Sequence, residues 1–451
     1  MRARLVTLMS LALPMVLARA TQSAITFADA IQVKHLGTDA IAAVATGGLN
    51  TQMFVILPMG VVFLVQSFVA QLTGRGEREQ TRRFAWYGLG IAAASGLIAA
   101  AAIPFVGPIL GLLPFQPPLR DAMGGYMAIR LLSVGGAVGV EALGNWYGGL
   151  GNTRMQMIAG LVTMASAVAL NAILIDGRLG APALGVDGAA IASTIASWLG
   201  FAVLAVAFRF GWGNAPRSRG PLGLSRRELG RVMRFGLPNG VNWLLEFTAF
   251  QLFVNVVVGE LGGPTVAALN VVIAINSIAF MPAFGLASAG AILAGQSIGA
   301  GDRDAVWPSV KLTLACTITW MVAIAAAYLI IPDVVLGWFA PAGEGGATFV
   351  HLGTAMLAIS AIWQVFDATG MTMSETLRAA GDTAWTAGAR IVLAWVVFAP
   401  GSYIVVRYAH GGALGAMVCL VGYLALLALA LALRFRSGAW RKIELIEPKL
   451  V

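Results

Sequence analysis

Residues 40–71 read AIAAVATGGLNTQMFVILPMGVVFLVQSFVAQ, without one charged side chain. A helix of about 20 apolar residues crosses a bilayer. Within lipid, only a helix or a closed barrel satisfies its own backbone polar groups, and a run of this length is helical. Eleven further runs follow the same pattern, at 6–32, 84–112, 120–145, 154–176, 186–209, 234–259, 265–297, 305–331, 346–377, 384–406 and 412–435. Turn signals separate them, among them Leu36-Gly37-Thr38, Pro117-Pro118, Gly151-Asn152-Thr153 and Gly381-Asp382-Thr383. The chain of 451 residues is 59% hydrophobic and 11% charged. Soluble domains carry about 25% charged residues, so a soluble enzyme, a nucleic-acid binder and a disordered chain are excluded. The predicted fold is all-α and polytopic, with 12 transmembrane helices in two pseudo-symmetric six-helix bundles.

The net charge of +9 is explained by where the bases sit. With the N-terminus inside, 22 of the 29 lysines and arginines fall in cytoplasmic segments. Four (Lys34, Arg120, Arg178 and Arg407) lie outside, and three (Arg19, Arg130 and Arg390) lie within spans. This is the positive-inside bias, which places both termini in the cytoplasm and suits anionic headgroups rather than nucleic acid. The first run also resembles a secretory signal, with Arg2 and Arg4, an apolar stretch over 5–17 and Ala18-Arg19-Ala20. Arg19 inside that site, and the apolar run resuming to Val33, favour retention of the segment.

The two halves echo each other. Leu13-Pro14 recurs as Leu237-Pro238, Leu36-Gly37 as Leu261-Gly262, and Gln71 with Gly74-Arg75-Gly76 as Gln296 with Gly299-Ala300-Gly301. Gly151-Asn152-Thr153 recurs as Gly381-Asp382-Thr383. An ordered series at nearly constant offset indicates duplication. The predicted division is 1–212 as an N-lobe, 213–233 as a cytoplasmic linker and 234–451 as a C-lobe. In the linker, Ser225-x-x-Glu228 has the form of a capping box, predicting a short surface helix before the seventh span. Paired six-span repeats suggest alternating access to a cavity between them.

Ionisable residues inside spans are costly and are therefore functional candidates. Of the 20 acids, Asp29, Glu246 and Asp367 lie well within spans. A lone carboxylate in a dry site holds a proton more readily, and also accepts a metal or organic cation. The competing interpretation is a structural pairing with Arg19, Arg130 or Arg390. The repeat argues against it, because none of the three acids has an acidic counterpart; Glu246 meets Gln22. Glu141 and Glu375 lie nearer span ends, where they are interfacial or paired with nearby arginines, and receive no role. Pro14, Pro58 and Pro282 each remove a helical hydrogen bond and permit bends. Pro14, 15 residues ahead of Asp29, is a candidate hinge. Aromatic residues such as Trp243, Phe247, Trp363 and Phe366 suit a cavity for lipophilic cations, or simple packing. No lysine follows glycine, so there is no Walker A motif, and His35, His351 and His410 are isolated. Cys316 and Cys419 suggest neither a disulfide framework nor a metal site.

These residues together resemble the multidrug and toxic compound extrusion (MATE) transporters, over nearly the whole chain. The likeness rests on Pro14 with Asp29 in Phe27-Ala28-Asp29, on Ala70-Gln71 with Gly74-Arg75-Gly76, and on Gly149-Leu150-Gly151-Asn152-Thr153-Arg154. It extends through Asn171 with Gly180-Ala181-Pro182, Gly236-Leu237-Pro238, Leu245-Glu246-Phe247-Thr248 and Leu377-Arg378-Ala379-Ala380-Gly381-Asp382-Thr383. The chain looks most like the NorM branch, whose acids in spans 7 and 10 match Glu246 and Asp367. The resemblance implies an N-lobe cation site at Asp29, Asn171 and Ser193, a site for Na⁺ or H⁺. It departs from the family where an asparagine is replaced by Ala167, a threonine by Ser193 and a tyrosine by Trp363.

The expected function is a cation-coupled antiporter that exports amphipathic, often cationic, small molecules in exchange for H⁺ or Na⁺. Asp29, Asn171, Ser193, Glu246 and Asp367 would couple the ion, and Glu246, Asp367 and Trp363 would line the substrate cavity. No cofactor, no enzymatic activity and no nucleic-acid partner are expected. The expected setting is a bacterial inner membrane, with the protein a monomer among lipids. The alternative within the superfamily is a flippase for lipid-linked saccharides, which favours an Arg-rich cavity and often has extra spans. A major-facilitator porter is disfavoured because the loop after span 2 reads Gly74-Arg75-Gly76-Glu77-Arg78. The topology makes a direct prediction: fluorescent protein fused after Val451 fluoresces, and periplasm-dependent alkaline phosphatase fused there stays inactive. The reverse result would place the C-terminus outside.

Overall fold

The computed structural model describes residues 2–112, 116–216, 223–337 and 345–447, with the side chains of residues 26, 27, 30, 38, 39, 263, 264 and 345–348 left aside. Arg217, Arg219, Pro221 and Lys449, expected in cytoplasmic segments, lie outside the described residues. The described residues are helical and contain no strand. The first half comprises α1 (Arg2–Val33), α2 (Thr38–Phe63), α3 (Val65–Gly74), α4 (Thr81–Gly111), α5 (Pro117–Leu131), α6 (Val134–Gly149), α7 (Thr153–Leu174) and α8 (Gly185–Phe210). The second comprises α9 (Arg226–Leu252), α10 (Gly263–Gly299), α11 (Val306–Ile330), α12 (Pro332–Gly337), α13 (Gly345–Ala380), α14 (Thr383–Val392), α15 (Ala399–Arg407) and α16 (Gly412–Arg436). Eleven helical stretches are long and apolar enough to cross a membrane, and the pair α5 and α6, bent by 43°, makes a twelfth span. The bend falls at Leu132-Ser133, where the Ser133 hydroxyl donates to the Arg130 carbonyl at 2.6 Å and α6 then starts on Val134-Gly135-Gly136.

The duplication is visible in the backbone. Gly37 and Gly262, which precede the second and eighth spans, have φ of +101° and +91°. Gly151 and Gly381, at the start of the fifth and eleventh, have φ of +83° and +89°. Both pairs occupy a region that side chains with a Cβ rarely adopt, so glycine at each site is set by the turn.

Contacts divide the chain into two compact units: Leu17–Gly240, and Met1–Val16 together with Val241–Val451. Each boundary falls two residues beyond a proline within a helix, Pro14 in α1 and Pro238 in α9. Proline lacks the amide that would bond the carbonyl four residues earlier, and so softens the helix there. In one unit, Leu8, Leu11, Ala12 and Met15 of α1 form an apolar cluster with Leu286, Ala289 and Ile292 of α10. A Cβ on Gly285 would come within 2.9 Å of Val16. In the other unit, α9 meets α2 the same way: a Cβ on Gly60 would lie 2.6 Å from the Gly240 Cα, and Asn239 donates to the Gly60 carbonyl at 2.6 Å. The second span holds the start of the seventh, as the eighth holds the start of the first.

The expected surface helix before the seventh span is instead the first turns of α9, a single helix from Arg226. Ser225 Oγ accepts from the Arg227 amide at 3.1 Å, as a cap should. Glu228 is engaged elsewhere, by Arg83 at 3.0 Å and by the Tyr87 hydroxyl at 2.8 Å. A charged and a phenolic partner from α4 outcompete the local capping contact, and they tie the connection to the first unit.

Gly240→Ala should lower stability by about 1–3 kcal/mol, the usual cost of overpacking, because its Cβ would press on the Leu57 carbonyl. Gly230→Ala on the same helix has open space and should be neutral or stabilising by up to about 1 kcal/mol. Thermal unfolding in detergent compares the two, and equal shifts would remove the close-crossing argument.

Candidate functional site

Within the first unit, α1, α7 and α8 bring Asp29, Asn171 and Ser193 together. Asn171 Nδ2 donates to Asp29 Oδ1 at 2.5 Å, and the Ser193 hydroxyl donates to Asp29 Oδ2 at 3.5 Å. Asn171 is fully buried and Ser193 nearly so, whereas Asp29 is half-buried. Gln32, one turn beyond Asp29, donates to the Val168 carbonyl at 3.1 Å and holds α1 against α7. Asn171 Oδ1 is buried with no hydrogen-bond partner among the described residues. The group therefore offers a carboxylate, a hydroxyl and an amide oxygen with unspent accepting capacity. Oxygens of this kind suit a proton or a hard cation. Ala167, one turn before Asn171, is buried and adds no oxygen. Arg130 lies within electrostatic reach of Asp29 and hydrogen-bonds Tyr126.

Within the second unit, Glu246 of α9 is joined to Arg390 of α14. Arg390 Nη1 donates to both Glu246 carboxylate oxygens at 2.8 Å, and Nη2 donates to Ser374 Oγ at 3.2 Å. The Tyr423 hydroxyl donates to Glu246 Oε1 at 3.4 Å. Asp367 of α13 lies within electrostatic reach of both Glu246 and Arg390. Trp363, one turn before Asp367, is buried in the apolar core of this unit. Pro14 lies within α1, two residues before the unit boundary.

Two features escaped the sequence reading. The first is a polar chain ending one turn before Asp367. Gln364 donates to Asn276 at 2.6 Å, Asn276 to Ser360 at 3.2 Å, and Ser360 to the Leu357 carbonyl at 2.7 Å. The chain is buried and leaves Gln364 Oε1 without a hydrogen-bond partner among the described residues. The second concerns Arg19. It is one of three possible partners for the span acids, but it is buried against Glu141 instead. Arg19 Nη2 lies 2.8 Å from Glu141 Oε1 and Nη1 lies 3.4 Å from Oε2. Asn145 adds a donor to Glu141 Oε1 at 2.9 Å. Glu375 is likewise buried, 2.6 Å from Arg378. Of the two expected settings for these acids, interfacial or paired with an arginine, the structure shows the pairing. Partners 122 positions apart leave no local signal, although Glu375 and Arg378 at i,i+3 were open to pairing.

The MatE family profile matches residues 14–173 and 241–404, most of both halves. The multidrug resistance protein NorM of Burkholderia vietnamiensis is 28% identical over 436 residues, 94% of this chain and 92% of its own. A probable multidrug resistance protein NorM of Thermotoga maritima is 25% identical, with 96% and 93% covered. The crystal structure of MATE in complex with MaL6 shares the fold with a TM-score of 0.89 at 21% identity, covering 98% of both chains. A MOP superfamily transporter from Pyrococcus furiosus, described as having reversed polarity of its binding pocket, gives a TM-score of 0.86 at 20% identity. It covers 98% of this chain and 97% of its own.

Breaking a buried ion pair leaves an uncompensated charge, which costs about 3–5 kcal/mol. Arg19→Met should therefore lower stability by about that amount, because the paired side chains are only 8% and 5% exposed. Arg19→Met with Glu141→Gln should recover most of the loss. Detergent-phase thermal unfolding of the single and double variants measures the coupling, and additive losses would deny it.

Proposed function

The chain belongs to the MatE family, and we propose that it is a secondary active antiporter exporting amphipathic, often cationic, small molecules in exchange for H⁺ or Na⁺. The observation that carries the reading is the Asp29, Asn171 and Ser193 group, with a buried amide oxygen unspent beside a carboxylate. One carboxylate among neutral oxygens suits a monovalent coupling ion. Among the described residues no three His, Cys, Asp or Glu side chains cluster as a multivalent metal would require. The NorM names of the relatives support multidrug export as the activity. In this reading Glu246 and Asp367 serve the C-terminal unit for ion or substrate, with Trp363 packed beneath them. Pro14 is the hinge through which α1 carries Asp29. The protein works as a monomer in the inner membrane, with both termini cytoplasmic and without a cofactor.

Ion and substrate need not touch for exchange to occur. If each favours a different conformation, ion binding weakens substrate binding by the same factor as substrate weakens the ion. One net charge moved through about 100 mV supplies about 2.3 kcal/mol, about one and a half decades of gradient for a neutral substrate; one-for-one exchange of monovalent cations moves no net charge and draws on the concentration gradient of the ion.

The test is transport in proteoliposomes under Na⁺ and pH gradients imposed separately, with cationic dyes as substrates. Asp29→Asn should reach the membrane and lose gradient-driven efflux by about tenfold or more, as removal of a coupling charge requires. Efflux equal to wild type in that variant would sink the assignment. The gradient that drives uptake identifies the ion.

A further inference from the structure

Among the described residues, three arginine–carboxylate pairs share one geometry and Arg390–Glu246 has another. Arg19–Glu141, Arg378–Glu375 and Arg434–Asp382 each place two guanidinium nitrogens on two carboxylate oxygens. That fork is the geometry of a fixed pair. Their carboxylates are 5%, 7% and 4% exposed. Arg390 instead rests a single nitrogen across both oxygens of Glu246 and gives its other terminal nitrogen to Ser374. The Glu246 side chain is 34% exposed. That carboxylate is open where the other three are shielded.

The local backbone is also unusual. Arg390 lies three residues ahead of Leu393–Phe398, a π-helical turn in the eleventh span. Such turns gather at functional positions. Trp395 within it donates to the Leu245 carbonyl at 3.2 Å, beside Glu246, and binds the eleventh span to α9. The guanidinium is thus held near Glu246 by its backbone, without the two-pronged contact that would lock the carboxylate.

The charges decide what such a site accepts. Asp367 is within electrostatic reach of the pair and has no hydrogen-bond partner among the described residues. Glu246 and Arg390 cancel, so the group carries one negative unit whenever Asp367 is ionised. A monovalent cation would neutralise the group, whereas a divalent one would leave excess positive charge in a poorly solvated place.

We propose that Arg390 is a tethered counter-cation that sets the substrate charge of the C-terminal site, so that it takes monovalent organic cations in preference to divalent ones. Arg390 acts by charge on the site and is a specificity-determining residue. The inference rests on the cation-export reading above.

Binding of tetraphenylphosphonium and of its butane-linked bis-phosphonium dication is measured with the full chain in lipid nanodiscs. Arg390→Gln should shift the affinity ratio toward the dication by about tenfold, the weight of one nearby charge at an intermediate dielectric. Glu246→Gln should shift it about tenfold the other way. The double variant should return to the wild-type ratio, and Arg390→Lys should keep it. A purely structural salt bridge predicts no opposite shifts and no return. An unchanged ratio in Glu246→Gln, or in a folded Arg390→Gln, overturns the proposal while leaving the export reading intact if tetraphenylphosphonium still binds. Failure of the double variant to restore the ratio overturns it as well, and that arm stands even if Arg390→Gln alone does not fold. Wild-type protein that binds neither cation removes the export reading and this proposal together.

Discussion

A charge held between membrane-spanning helices has no water to fall back on, so its partner must come from the same fold. That constraint orders the interior of this protein. Arg19 meets Glu141, Arg378 meets Glu375 and Arg434 meets Asp382, each in a two-nitrogen fork with a shielded carboxylate. Once those structural debts are settled, few acids in the spans are left over. Asp29 is held by neutral donors, Glu246 by one arginine nitrogen and the Tyr423 hydroxyl, and Asp367 by electrostatic proximity. The chemistry of the molecule is what pairing has left incomplete.

The two units solve their packing alike and their chemistry differently. The close crossings of α1 on α10 and α9 on α2, and the matched glycine turns, are duplicated. The ionisable groups are not: one unit gathers an aspartate, an asparagine and a serine, and the other gathers two acids and an arginine. In the proposed function, a shared scaffold with divergent interiors would let one unit serve an inorganic ion and the other a larger cation. Function lives in the sites grafted on the fold.

Much of this was legible in the sequence because it is periodic or local. Uncharged runs set the spans, and Leu36-Gly37 with Leu261-Gly262 marked the repeat. Asp29, Asn171 and Ser193 were read as one group from family resemblance, and three helices bring them together. Pairings across long separations were not legible. Arg390 was one of three arginines that any span acid might have met, and only the fold gave it to Glu246 rather than to Asp29 or Asp367. The start of α9 was legible in part: Ser225 caps the helix as expected, and only the Glu228 half of the box is lost. Ser225 and Glu228 form a valid local capping pattern, but Arg83 and Tyr87 reach across from α4 and take the glutamate. Local pattern sets what a residue is able to do, and tertiary competition selects among those options.

The membership of Met1–Val16 in the second unit bears on how the protein is made. These residues leave the ribosome well ahead of α10, yet Leu8, Leu11, Ala12 and Met15 find their apolar partners on that helix, in the second half. During synthesis the first unit must assemble with the leading half of its own first helix still unclaimed. Its partners Leu286, Ala289 and Ile292 are made only later in the chain. Completion of the first helix is therefore tied to translation of the second half, and a chain stopped after α8 would retain its spans but not their final packing.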